Sequence, residues 1–162
     1  MTEQCIKTLI GKALEARKFS YAPYSGYMVG AALLCDNDVI IGGCNVENAA
    51  FSPTNCAERT AFFKAVSEGI KGFRAIAIVG GHRVAEELDF AHPCGVCRQV
   101  MQEFCDSETF QIIVAKSEAE YQVYQLKELL PYGFGPDTVK GDSYWNLLWE
   151  FSSLSFLLLH LL

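Results

Sequence analysis

Two short cysteine motifs carry the chemistry that this sequence can support. The first is Cys56-Ala57-Glu58, and the second, Pro93-Cys94-Gly95-Val96-Cys97, lies further along the chain. Each stands where a helix should open. Asn55 closes a Pro53-Thr54-Asn55 turn as a good N-cap residue ahead of an Ala-rich stretch, and His92-Pro93 introduces the other helix. Cys94 and Cys97, at i and i+3, can place both sulfurs on one helical face, and the unpaired N–H groups of a first turn favour thiolates there. If the two helix starts meet, three thiolates surround one point and leave a fourth position open. That is the pattern of a catalytic zinc, because a closed structural site would use four protein ligands.

Glu58 follows Cys56 by two residues, a spacing that does not put both side chains on one regular helix face, so its carboxylate need not be a ligand. It can instead address a water activated by the metal, taking its proton and delivering it to a leaving group. These parts suit hydrolytic deamination. Three thiolates outweigh a divalent cation by one charge, which opposes activation of that water. The two helix N-termini offset part of the excess, and Arg59 can donate to a ligand sulfur from behind. A C-x-x-C alone would serve equally well as a redox pair or a structural half-site; the upstream C-x-E argues against both. Cys5, Cys35, Cys44 and Cys105 fall on apolar stretches and read as small packing residues. His82 and His92 read as solvated or loop-stabilising, not as ligands.

The elements that must position these motifs follow from apolar periodicity. Ile6, Leu9, Ile10, Ala13 and Leu14 mark one face of a helix over residues 3–17. Tyr27 to Cys35 and Val39 to Cys44 are apolar runs joined by Asp36-Asn37-Asp38, a hairpin whose two strands both read as central and covered on both faces. A helix from Cys56 to Glu68, a strand from Ala75 to Gly80, a helix from Cys94 to Cys105 and a strand from Gln111 to Lys116 come next. Tyr121 to Gln125 reads as a short edge strand, and Leu126 to Leu130 as a last helical turn before a Pro- and Gly-rich loop over 131–136. This alternation predicts a layered α/β domain on one mixed sheet.

Composition limits the partners. The chain has 162 residues, is 51% hydrophobic and 20% charged, and carries a net charge of −6, so it can bury a core but lacks the basic footprint that a polynucleotide partner requires. Seven cysteines, an odd number, behind an acidic and polar Met1-Thr2-Glu3-Gln4 start favour a reducing cytoplasm over a disulfide framework.

With these motifs in place the sequence resembles the small homotetrameric cytidine deaminases. The resemblance rests on Ala22-Pro23-Tyr24-Ser25, Val29-Gly30-Ala31-Ala32-Leu33, Gly43-Cys44-Asn45-Val46-Glu47-Asn48-Ala49, Cys56-Ala57-Glu58-Arg59-Thr60-Ala61, Pro93-Cys94-Gly95-Val96-Cys97-Arg98-Gln99 and Leu129-Leu130-Pro131. It implies a three-layer α/β/α fold around a five-stranded mixed sheet, one zinc per subunit, and hydrolysis of cytidine and deoxycytidine to uridine and deoxyuridine with release of ammonia, a reaction of pyrimidine salvage. It also implies that Asn45 and Glu47 hold the ribose hydroxyls, that the Ala57 backbone reads the pyrimidine, and that Tyr27 walls the base where the family usually carries Phe. Phe134 is expected to reach across a subunit interface, with Phe51 and Tyr24 near the shared sites. Glu47 bears on substrate by its charge as well, since an anion beside the sugar accepts hydroxyl donors and repels a phosphate. Free cytosine nucleosides are therefore expected, with blasticidin S as the alternative substrate.

The chain beyond Asp137, including the apolar tail over 141–162, has no counterpart in the resemblance, which covers roughly residues 3–137. From Ser143 it is rich in Leu, Phe and Trp with Glu150 inside it and no Lys or Arg, which argues against a membrane span. Residues 1–140 are expected to form the deaminase domain, and this apolar tail to be buried or to associate non-specifically.

Overall fold

The computed structural model describes residues 1–139. Along the chain run α1 (Glu3–Arg17), β1 (Tyr27–Cys35), β2 (Ile40–Cys44), α2 (Ala57–Ser67), β3 (Phe73–His82), α3 (Gly95–Phe104), β4 (Gln111–Ala115), β5 (Tyr121–Gln125), α4 (Leu126–Leu129) and α5 (Pro136–Val139). The strands form one five-stranded sheet in the order β2-β1-β3-β4-β5. Only β3 and β4 are parallel neighbours, joined through α3; the other pairs are antiparallel.

Alternation along β1 divides the core. Ala31, Leu33 and Cys35 pack with Ala57, Ala61, Phe62, Cys97 and Met101 of α2 and α3, whereas Ala32 and Leu34 pack with Ile6, Leu9, Ile10 and Ala13 of α1. The result is three layers, α1 on one face of the sheet and α2 with α3 on the other. Leu9 and Ile10 are fully buried, worth about 1.5–3 kcal/mol each in transfer terms. Thr2 opens α1 by accepting from the Cys5 N–H at 3.3 Å.

Strand direction decides where chemistry can gather. Because β2 and β3 are each antiparallel to β1, both end at the same edge of the sheet, and α2 and α3 begin just beyond those ends. Tyr27 and Val29, at the start of β1, lie there too, opposite His82 and Gly80. Such carboxyl ends are where α/β sheets carry their sites.

Four sequence expectations need correction. β2 is an edge strand, not a central one: its apolar run reflects cover on both faces, since a side chain on Gly43 would strike α2 and one on Gly42 would meet Ala16 of α1. Asn55 does not cap α2, because its backbone is paired in both directions with Val46, at 2.9 Å each way, so the helix opens one residue later on Cys56. β3 extends past Ala75 and Gly80 to Phe73–His82. Pro136 opens a single helical turn where a loop was expected. Among the described residues no helix is long and apolar enough to cross a membrane; the stretch 141–162 lies outside them.

Close approach of α2 to the sheet depends on Gly43, whose added Cβ would lie 2.5 Å from the Ala57 carbonyl oxygen and 2.5 Å from the Ala61 nitrogen, both backbone atoms. Gly43→Ala is expected to cost about 1–3 kcal/mol in a thermal or denaturant melt by forcing α2 outward. Gly42→Ala, whose Cβ would meet only the Ala16 methyl at 3.6 Å, should melt close to wild type.

Candidate active site

Both motif helices start on a cysteine. Cys56 and Cys94 are the N-cap residues of α2 and α3, each with extended backbone, and neither sulfur caps its own helix. The sulfurs are thereby left to face one another. Cys56 Sγ lies 3.9 Å from Cys94 Sγ, which lies 3.5 Å from Cys97 Sγ, and all three fall within 4.8 Å of one another. Tetrahedral ligation with Zn–S bonds of about 2.3 Å places sulfurs about 3.8 Å apart, so the trio fits a zinc ion, with no fourth His, Cys, Asp or Glu joining the cluster among the described residues.

The electrostatics are those of crowded anions with one cation behind. Arg59 sends Nη2 to the Thr54 carbonyl at 3.0 Å and to Cys56 Sγ at 3.7 Å. The Cys56 thiol is pulled well below the ordinary cysteine range, first by the Cys97 thiol donating to it and then by Arg59 and Cys94, against burial. The same contact with Cys56 holds the Cys97 thiol up, aided by burial. Ionisation therefore belongs to the cluster, with Cys56 giving up its proton first. Glu58 is only 4% exposed, and burial pushes its carboxyl up to about 7.

Beside the sulfurs opens a cavity of about 440 Å³, lined by Tyr27, Asn45, Glu47, Cys56, Ala57, Glu58 and Cys94 among the expected residues. Ala57, the first residue of α2, is buried, and its N–H is one that no preceding helical turn can satisfy. Asn45 bridges the start of β1 with its side chain: Oδ1 accepts from Val29 N–H and Nδ2 donates to the Tyr27 carbonyl, both at 2.8 Å. Glu47 accepts from the Tyr24 and Ser25 N–H groups at 2.9 and 3.2 Å and from the Ser25 hydroxyl, which holds its carboxyl below the usual range. Tyr27 is half-buried, and burial with the nearby Asp89 carboxylate raises its phenol.

Other expected residues stand apart. Phe51 (77% exposed) and Phe134 (61% exposed) do not line this cavity. Phe51 meets Tyr24 edge-on at 6.3 Å, and the Phe134 carbonyl accepts from Gln99 Nε2 at 2.7 Å. The wall also contains Val29, Thr54, Asn55, Ile78, Phe90, Ala91 and His92, which sequence reasoning did not assign to the site. Only their nearness to Cys56 and Cys94, or to the strand ends, could have signalled them.

Comparison with known proteins agrees with this geometry. Residues 3–113 match the family described as the cytidine and deoxycytidylate deaminase zinc-binding region. A cytidine deaminase of Sporosarcina psychrophila is 42% identical over 132 residues, covering 82% of this chain and 93% of that protein. One from Halalkalibacterium halodurans is 45% identical over 126 residues, 78% of this chain and 91% of its own length. The crystal structure of cytidine deaminase from Burkholderia pseudomallei superposes with a TM-score of 0.72 at 40% identity, covering 83% of this chain and 100% of that one.

Serine at Cys56, Cys94 or Cys97 is expected to abolish stoichiometric zinc, as read by elemental analysis of purified protein. Arg59→Ala should keep the ligands but weaken zinc affinity about 10–100-fold in a competition titration with a chelator, the usual effect of removing a group that orients a ligand from behind.

Proposed function

Because the chain belongs to the cytidine and deoxycytidylate deaminase family, we propose that it hydrolyses cytidine and deoxycytidine to uridine and deoxyuridine, releasing ammonia. The observation that carries this reading is the buried Glu58 carboxyl beside three converging sulfurs at one end of a nucleoside-sized cavity. When bound by Cys56, Cys94 and Cys97, zinc supplies the Lewis acidity that makes water a nucleophile near neutral pH.

The remaining work falls to the chain. Glu58 takes one proton from the attacking water and gives it to the pyrimidine ring nitrogen, then takes the second from the hydroxyl so added to the ring carbon and gives it to the departing amine; a carboxyl that burial holds near 7 can do both at neutral pH. The Ala57 N–H meets the base as a hydrogen-bond donor, and Tyr27 stacks beside it. Asn45 and Glu47, which line the same cavity, receive the ribose hydroxyls. Glu47 is already anionic and anchored by the Tyr24–Ser25 turn, so it favours a free nucleoside over a nucleotide. Arg59 offsets the excess negative charge of the thiolates.

The active species in this reading is a cytoplasmic homotetramer, with Phe134 entering a neighbour's site. The exposure of Phe134, Phe51 and Tyr24 away from their own cavity supports shared sites, and seven unpaired cysteines support a reducing compartment. No nucleic acid or membrane partner is included, in keeping with the charge of −6.

Loss of cytidine absorbance in the ultraviolet tests the proposal, with deoxycytidine, cytidine monophosphate and blasticidin S run in parallel. Both nucleosides should turn over well ahead of the other two, and preference for either competitor would refute the ribose assignment. Glu58→Gln should retain one zinc per chain and lose about 10²–10⁴-fold in kcat. A species that sediments as a monomer at full activity would remove the tetramer from the mechanism.

A further inference from the structure

The geometry points to His92 as a positioning residue for the reaction, acting through the cavity wall that it forms with Phe90 and Ala91; this inference rests on the cytidine reading above. The segment between Asp89 and Pro93 belongs to no strand or helix. Its backbone is closed by two bonds that each span two residues, Ala91 N–H to the Asp89 carbonyl and His92 N–H to the Phe90 carbonyl, both at 3.0 Å. Turns of that size bend their hydrogen bonds, and Pro93 offers no N–H to extend the pairing. Such a wall needs support from elsewhere.

The imidazole supplies it. His92 Nδ1 lies 3.0 Å from the Phe90 carbonyl oxygen, so ring and backbone N–H groups of one residue both donate to that acceptor. On its other side Nε2 meets the hydroxyl of Tyr124 at 3.2 Å, with the two ring centroids 5.5 Å apart. Tyr124 stands on edge strand β5 opposite Ile112, and its single hydroxyl proton is shared between His92 Nε2, which can only accept while Nδ1 donates, and Gln122 Oε1 at 2.7 Å. The Lys116 ammonium, just past β4, sits 4.7 Å from the centre of the Phe90 ring. The wall is thus hung from the β4–β5 edge of the sheet, by His92 above all.

Its location decides which step it serves. Cys94 follows His92 by two residues, so the wall borders the sulfurs, and among the described residues Phe90, Ala91 and His92 make no hydrogen bond to Asn45 or Glu47. A loosened wall should therefore slow turnover more than it weakens nucleoside binding.

The test compares full-length wild type, Tyr124→Phe, His92→Ala, His92→Asn and the His92→Ala/Tyr124→Phe double variant. Each is measured for kcat and KM with cytidine, zinc content, melting temperature and hydrogen exchange at the amides of residues 89–92. Tyr124→Phe should lose about 3- to 10-fold in kcat and His92→Ala about tenfold or more, in line with losing one and two hydrogen bonds. KM should move less than twofold, zinc should stay at one per chain, and the Ala91 and His92 amides should exchange faster. Asn, whose Nδ2 falls where the imidazole Nδ1 was, should recover part of the loss. The double variant should be no slower than His92→Ala alone. Losses in kcat that merely track zinc content or folded fraction, unchanged kcat in both single variants, or a double loss equal to the product of the singles would each overturn the inference while leaving the cytidine reading in place. Zinc-loaded wild type that fails to convert cytidine would overturn both.

Discussion

Three sulfurs within 4.8 Å of one another are a place where negative charge accumulates, and the neighbouring structure is arranged to tolerate it. Two helices point their N-termini at the cluster, supplying partial positive charge from unpaired N–H groups. Arg59 adds a full charge and fixes the rotamer of Cys56 through a contact that also engages the Thr54 carbonyl. The same crowding keeps Glu58 protonated to higher pH, because the carboxyl loses water as a solvent and faces Cys56 as a neighbouring anion. Cys56, Glu58 and Arg59 are neighbours at the α2 start, while Cys94 and Cys97 come from the α3 start, so two helix ends together set the local potential.

That arrangement is reached through strand direction. Had β2 and β3 run in opposite senses, α2 and α3 would open at opposite ends of the sheet, and C-x-E and C-x-x-C would never meet. The small residues Gly43, Ala57 and Ala61 let α2 lie close enough to β2 for Cys56 to come level with Cys94. Packing of the most ordinary kind, glycine beneath a helix, thus determines a distance between sulfurs.

Much of this was legible in the residues. The period of Ile6, Leu9, Ile10 and Ala13 located α1 to the residue, and the motif spacing picked out the three cysteines that converge, the buried Glu58 beside them and Arg59 behind Cys56. The edge position of β2 was not legible, since apolar runs register cover on the faces of a strand and are silent about its neighbours in the sheet. Asn55 misled because a strong capping preference yielded to a backbone pairing with Val46 across the intervening loop, which no local motif announces. The polar atoms of Asn45 proved to be spent largely on β1, a role that no motif encodes. His92 and Tyr124 meet only because β5 returns beside β4, which is a fact of tertiary topology.

The separation of Cys56 from Cys94, 38 residues with β3 threaded between them, gives the zinc a second part to play. An ion held by both ends closes that stretch into a ring, as a covalent cross-link would. In the chain-entropy account, closure of a ring of this size removes about 4 kcal/mol of freedom from the unfolded ensemble. The strand inside the ring is the middle one of the sheet, bonded to β1 on one side and β4 on the other. Loss of the ion would therefore relax the topological fastening of the whole domain at its centre, and resistance to unfolding and capacity for catalysis would be surrendered together.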